Sequence, residues 1–189
     1  MPDYGMHLLL RETTDLAVAV NRLKHTPNSY KDMLQLMPQV AELIGNIHNW
    51  RPEPASVTSE YIVDEFHVNT IWRQGLLCFV YHEIYWLESS DVRIQDCVHA
   101  SLASFRQLSW MQACLWPTVM IAVHCRTSEA RTCYETQLRR MHTTLNFTAP
   151  LSIVLILENI WEVVDANDPG AVRWRDVVQS LGMELNILL

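Results

Sequence analysis

His82 and Glu83 stand side by side, and a histidine followed by a glutamate invites comparison with a zinc protease. That chemistry needs a second histidine four residues after the first, so that both imidazoles face one metal. Trp86 holds that place, so the motif fails. Cys78 and His82 are also four apart and share a helix face. The spacing suits a thiolate–imidazole nucleophile, and equally a buried cysteine beside a packed histidine. Asp64, Glu65 and His67 fall within one turn. Paired carboxylates there could hold Mg2+ and a diphosphate substrate. Acids in a first helical turn also complement the helix dipole with no ligand at all. Glu129, Arg131, Arg139 and Arg140 could grip an anion or form a solvated charged face. His124 stands among Ile121, Ala122, Val123 and Cys125, where a histidine is more often a satisfied core residue than a ligand. Trp72, Trp86, Trp110, Trp116 and Trp161 could line a hydrophobic pocket or fill a core.

The chain has no Gly-rich phosphate loop, no G-x-S-x-G, no zinc quartet and no dinucleotide fingerprint. Its formal charge is −7, and only Lys24 and Lys31 are lysines. No basic stripe is present, so the electrostatic footprint of nucleic-acid binding is absent, and an acidic surface repels anionic lipid. The five cysteines include no C-x-x-C, and each sits in an apolar run. They read as small core hydrophobes in a reducing compartment rather than as a disulfide framework. The start carries no basic segment leading into an apolar one, so no signal peptide is expected. The most apolar run, Leu115 to Cys125, is broken by Pro117 and is too short to span a bilayer. The expectation is an intracellular protein of nucleus or cytoplasm, without a resident metal or cofactor.

The elements that must position these residues are helices. Apolar residues make up 49 % of the 189-residue chain, charged residues 19 %, and there are only five glycines. That composition forms a core and favours helix. Met6 to Lys24 carries Leu9, Leu16, Val20 and Leu23 at helical spacing. Ser29 with Asp32 opens a second helix to Trp50, which Pro38 is expected to kink or split. The stretch 51–59, with Pro52 and Pro54, is the best linker. A long helix from Glu60 to Leu87 follows, with Asn69 as its polar exception and Gly75 marking a close helix crossing. Ser89, Ser90 and Asp91 cap the next. Pro117 suits the first turn of Trp116 to Arg126, and Ser128 caps Glu129 to Thr143. Leu151 to Val164 is apolar nearly all round, which predicts a central position. Asp168-Pro169-Gly170 is a turn, Val172 to Leu181 the last helix, and the apolar tail 183–189 should pack back on the body. The fold class predicted is all-α: residues 1–189 as a single domain of about eight or nine helices in an irregular bundle.

In order, "IWRQGLLCFVYHEIYWL", "LASFRQLSW", "CLWPTVMIAVHC", "SEARTCYETQLRRM", "LENIWEVVDAND" and "VRWRDVVQSLGMELNILL" resemble the fungal-specific transcription factor domain that follows a zinc binuclear cluster in many fungal regulators. The matching residues are Trp116-Pro117, Glu129 and Arg131, then Glu158, Trp161 and Asp165, then Trp174 and Gly182. They lie within 59–189, with 1–50 fitting loosely as upstream helices. The resemblance implies an all-α regulatory domain that restrains or licenses activation, senses a small hydrophobic ligand in some members, and contacts a second copy or a coactivator. The family's matching residues look architectural, and none is carried over as catalytic. The six-cysteine cluster that reads DNA has no counterpart in this sequence, so no direct nucleic-acid contact is expected of this chain. The family's domain is usually longer, so further helices before Met1 are expected.

Three readings of function follow. The first is a regulatory, ligand-sensing or partner-binding domain, with Trp72, Phe79, Trp116, Met120, His124 and Trp161 as the residues expected to line a hydrophobic site, and a homodimer or coactivator as possible partners. The alternative is a helical enzyme of secondary metabolism, a cyclase or isomerase of a hydrophobic substrate, using Mg2+ and Asp64, Glu65, His82 and Glu83. A pure dimerisation module is the third and plainest reading.

Overall fold

The computed structural model describes residues 4–23, 29–52, 59–108, 114–166, 173–180 and 182, without the side chains of 29 and 59–64. Among these the architecture is all-α, with eight helices and no strand. They are α1 (Tyr4–Leu23), α2 (Ser29–Asn49), α3 (Ser59–Phe79), α4 (Val92–Gln107), α5 (Leu115–Ala122), α6 (Ser128–Leu145), α7 (Ala149–Ala166) and α8 (Trp174–Ser180). A π-helical turn, Val80–Ile84, prolongs α3. The Ser29 cap, the 168–170 turn, the 183–189 tail, Trp110 and most of the 51–59 linker lie outside the described residues.

α3 is the central element. Its second half buries Ile71, Trp72, Leu76, Leu77, Cys78 and Phe79, which between them point to every side of the helix. α4 and α5 pack against it most extensively, and α1 and α2 close another side. The tightest point is Gly75. A Cβ there would stand 2.5 Å from the Pro117 Cβ and 2.7 Å from its Cα, so only glycine admits this crossing of α3 and α5. Pro117 in turn sits in the first turn of α5, where its missing N–H costs nothing.

Several expectations needed correction. α7 is peripheral, not central. It packs mainly on α6 and α8, and Leu155 is exposed on its outer side. Apolar content all round a helix therefore overstated its burial. α2 runs unbroken through Pro38. The carbonyl that Pro38 cannot serve is that of Leu34, an exposed residue, so water can reach it. The cap of α6 is Thr127 rather than Ser128, its side chain accepting from the Ala130 N–H at 3.2 Å. Asp91 does cap α4, accepting from the Arg93 N–H at 2.9 Å. Gly182 follows α8 in the left-handed conformation suited to a helix end.

Candidate functional site

The long helix expected over Glu60 to Leu87 changes character at Val80. The Tyr85 N–H reaches the Val80 carbonyl at 3.2 Å, a five-residue step, and the Leu87 N–H reaches the Tyr81 carbonyl at 3.0 Å, a six-residue step. Trp86 closes the turn with φ of 58°, a left-handed conformation that costs a bulky residue on the order of 1 kcal/mol or more. π turns concentrate at functional sites. This widened turn buries the neighbours His82 and Glu83 together.

Around them lies a polar cluster in an otherwise apolar interior. The Leu87 carbonyl can only accept, so the Nδ1 of His82, 3.0 Å away, carries the ring proton. That leaves Nε2 of the neutral ring as a bare acceptor. It has no hydrogen-bond partner and stands 4.0 Å from Oε1 of Glu83, which has none either. The other Glu83 oxygen receives Nε of Arg175 at 3.1 Å. Arg173 donates to the His82 carbonyl at 3.2 Å. Thus the first turn of α8 and the residue before it are fastened to the π turn by two arginines. On the other side, the His82 and His124 rings lie 4.7 Å apart. His124 Nδ1 pairs with the Ser89 hydroxyl at 2.8 Å, and Gln95 donates to the carbonyls of both Ser89 and His124. Burial holds His124 well below the usual range for an imidazole, and its electrostatic interaction with His82 lowers it further. Burial also lowers His82, with Glu83 pulling partly the other way.

Chemically this is an acceptor pair awaiting one donor. A proton on His82 Nε2 would turn that atom into a donor facing Glu83, and a group carrying two hydrogens, such as an amine, could donate to both atoms. Burial pushes the Cys78 thiol far up, with Cys97 as its hydrogen-bonding neighbour, which disfavours a thiolate in the Cys78–His82 dyad. Among the described residues no group of three metal-ligating side chains occurs.

The other candidates fall into two places. Trp72 and Trp116 stack at 5.7 Å, and Phe79 meets Trp116 at 5.7 Å, forming an aromatic seam where α3 crosses α5. The Arg175 guanidinium lies 5.9 Å above Phe79, so the seam ends at the polar cluster. Met120 is buried in α5, and the Trp161 N–H donates to the Ala122 carbonyl at 2.9 Å. The six residues expected to line a ligand site thus surround the end of α3 and the length of α5. Glu65 stands at the far end of α3. Seventeen residues separate it from His82, about 25 Å of helix. Asp64 precedes it, its side chain outside the described residues. The four residues weighed for Mg2+ chemistry are therefore not brought together. Sequence reasoning missed Arg173 and Arg175, whose only signal is a pair of arginines flanking Trp174, and also Ser89 and Gln95.

The residues that carried the sequence resemblance have structural partners. Arg131 pairs with both carboxylate oxygens of Asp165 at 2.5 and 2.8 Å and lies 5.4 Å over the Trp161 ring. Arg139 bridges Glu135 and Glu158, and Arg106 holds Glu129. For Arg131 and Arg139 the anion grip considered is thus filled by the protein's own acids, while Arg140 is exposed and has no carboxylate partner among the described residues. No helix among the described residues is long and apolar enough to cross a membrane. No curated protein and no solved structure matches the chain. The fungal specific transcription factor domain matches it over residues 3–188, which takes in α1 and α2 as well as the later helices. The chain therefore belongs to the fungal specific transcription factor domain family.

Proposed function

We propose that this chain is the regulatory part of a fungal transcription regulator, working in the nucleus, and that the fastening of α8 to the π turn is where its active and inactive states differ. Family membership supports the regulatory role broadly. The observation that carries the finer reading is the buried Glu83 carboxylate with one oxygen on Arg175 and the other unpartnered beside a bare imidazole nitrogen. A switch needs an element with two arrangements of similar energy and a local event that favours one. α8 is short and packs chiefly on α7, so its hold on the π turn rests on Arg173 and Arg175. A donor entering between His82 and Glu83 draws the carboxylate's charge toward Oε1 and so weakens the attraction of Oε2 for Arg175. The signal would come from a small hydrophobic ligand at the aromatic seam or from a coactivator that reads α8. DNA contact is assigned to another segment or partner.

The test is a transcriptional reporter in a fungal host, with this chain fused to an unrelated DNA-binding domain. Glu83→Gln and Arg175→Gln both undo the fastening and should shift reporter output in the same direction at equal protein level. Output indistinguishable from the parent for both variants, with normal abundance, overturns the reading.

A further inference from the structure

We infer that the pocket between the end of α2 and the beginning of α3 binds a small organic carboxylate, and that a zwitterion bearing an adjacent ammonium group is its best occupant. The pocket has a volume of about 430 Å³, and Arg51, Arg73, Glu65, Phe66, Asn69 and Thr70 line it. Its two guanidiniums converge on one acceptor. Arg51 donates to the Trp50 carbonyl at 2.9 Å and the His48 carbonyl at 3.3 Å, and Arg73 donates to the same Trp50 carbonyl at 3.0 Å. Capping the end of α2 explains one arm of each arginine. It leaves donors over, and the buried Nε of Arg73 has no partner.

Neither Arg51 nor Arg73 pairs with a carboxylate among the described residues, a state they share with Arg11, Arg22, Arg126, Arg140 and Arg173; what marks these two is that they line one pocket and converge on one carbonyl. Burial and the neighbouring Arg51 charge both push the Arg73 guanidinium below its usual range, as expected of a cation with too few anions nearby. A carboxylate matches the guanidinium fork in shape and charge. The carbonyls ending α2 and Glu65 add negative potential, which disfavours a phosphate dianion and favours a singly charged group. Glu65 offers an acceptor for an ammonium. Phe66, 64 % exposed, supplies an apolar wall for an organic body.

This inference does not rest on the α8 fastening, since the pocket is at the other end of α3 and the readout is binding alone. Titration calorimetry of the full chain with phenylalanine, phenylacetate and inorganic phosphate tests it. Phenylalanine should bind with a Kd of about 1 mM or tighter, as suits so small a ligand. Phenylacetate should bind more weakly and phosphate not at all. Arg51→Gln should weaken phenylalanine about tenfold, the loss of a charge-assisted contact. Glu65→Gln should erase the preference for phenylalanine over phenylacetate. Arg51 is exposed, so its variant keeps the test readable if Arg73→Gln unfolds the end of α2. No saturable binding of either carboxylate, affinity unchanged in Arg51→Gln, or phosphate binding as tightly as phenylalanine overturns the inference.

Discussion

The α6–α7 face and the π turn at the end of α3 both use arginine–carboxylate pairs, and they use them in opposite ways. Between α6 and α7 the pairs lie at the surface. Both oxygens of Asp165 are taken by Arg131, Arg139 reaches the half-exposed Glu158, and beside them Arg106 of α4 meets an exposed Glu129 of α6. At the π turn, the Glu83 side chain is 4 % exposed while its partner Arg175 is 53 % exposed. One carboxylate oxygen is paired and the other is not. Exposed surface pairs contribute little, and breaking one costs about 1 kcal/mol or less. A buried charge held by a single partner is costly to strand. The difference is the ground for placing the proposed switch at the π turn. The residues of the α6–α7 face, which carry the family resemblance, hold two helices in register, whereas the π turn holds a charge that the fold only partly satisfies.

The largest effect should come from stranding that charge. Arg175→Gln leaves Glu83 buried beside a bare imidazole nitrogen. It should lower unfolding free energy by about 2 to 3 kcal/mol, the low end for a buried pair because Arg175 is partly solvated. Glu83→Gln/Arg175→Gln together should recover most of that loss in a urea titration. If the double variant is as unstable as the single, the two residues do not act as a pair. Next comes pH. His82 and His124 are both held below their usual range. In the unfolded chain each titrates near about 6.5. Below that pH the unfolded state takes up protons the folded state refuses, so the stability is present above about pH 6.5 and lost as pH falls. Each group contributes a slope of up to about 1.4 kcal/mol per pH unit. His124→Asn should remove roughly half of the slope between about pH 6.5 and 5. Arg131 holds Asp165 below the usual carboxylate range, so that pair weakens only as pH falls below about 4. A midpoint that is flat from neutral pH down to 5 would contradict the burial of both imidazoles.

Much of this was legible from residue types. Leu9, Leu16 and Val20 marked the inner face of α1, and all three are buried. Gly75 signalled the close crossing with α5, and Pro117 its first turn. The all-α class followed from composition. His82, Glu83 and His124 were each singled out, yet the sequence alone does not put them together, because contacts across 42 residues leave no local trace. The π turn was invisible for a related reason. A single extra residue in a helical turn alters no periodicity that a short apolar run can display. Arg173 and Arg175 look like surface charges until α8 folds back over a segment some 90 positions earlier. Arg131, Glu158 and Asp165, named from the resemblance, join two successive helices, α6 and α7, whereas Glu129 reaches back to Arg106 of α4.

The smaller effects belong to the α6–α7 face. Arg131→Gln removes the pair with Asp165, the bond to the Cys125 carbonyl at 3.0 Å and the stacking on Trp161. Its side chain is mostly covered, so a loss of about 1 to 2 kcal/mol is expected, well below that of Arg175→Gln. Arg139→Gln should do least of all. Arg139 is open to water and shares its charge between Glu135 and Glu158, both of which water solvates when it is gone. Its thermal midpoint should match the parent's, and adding salt should change neither. A clear drop for Arg139→Gln that salt reproduces in the parent would mean that the surface pairs act as a network. The contrast between a satisfied face and a strained turn would then have to be redrawn as one between two kinds of charge coupling.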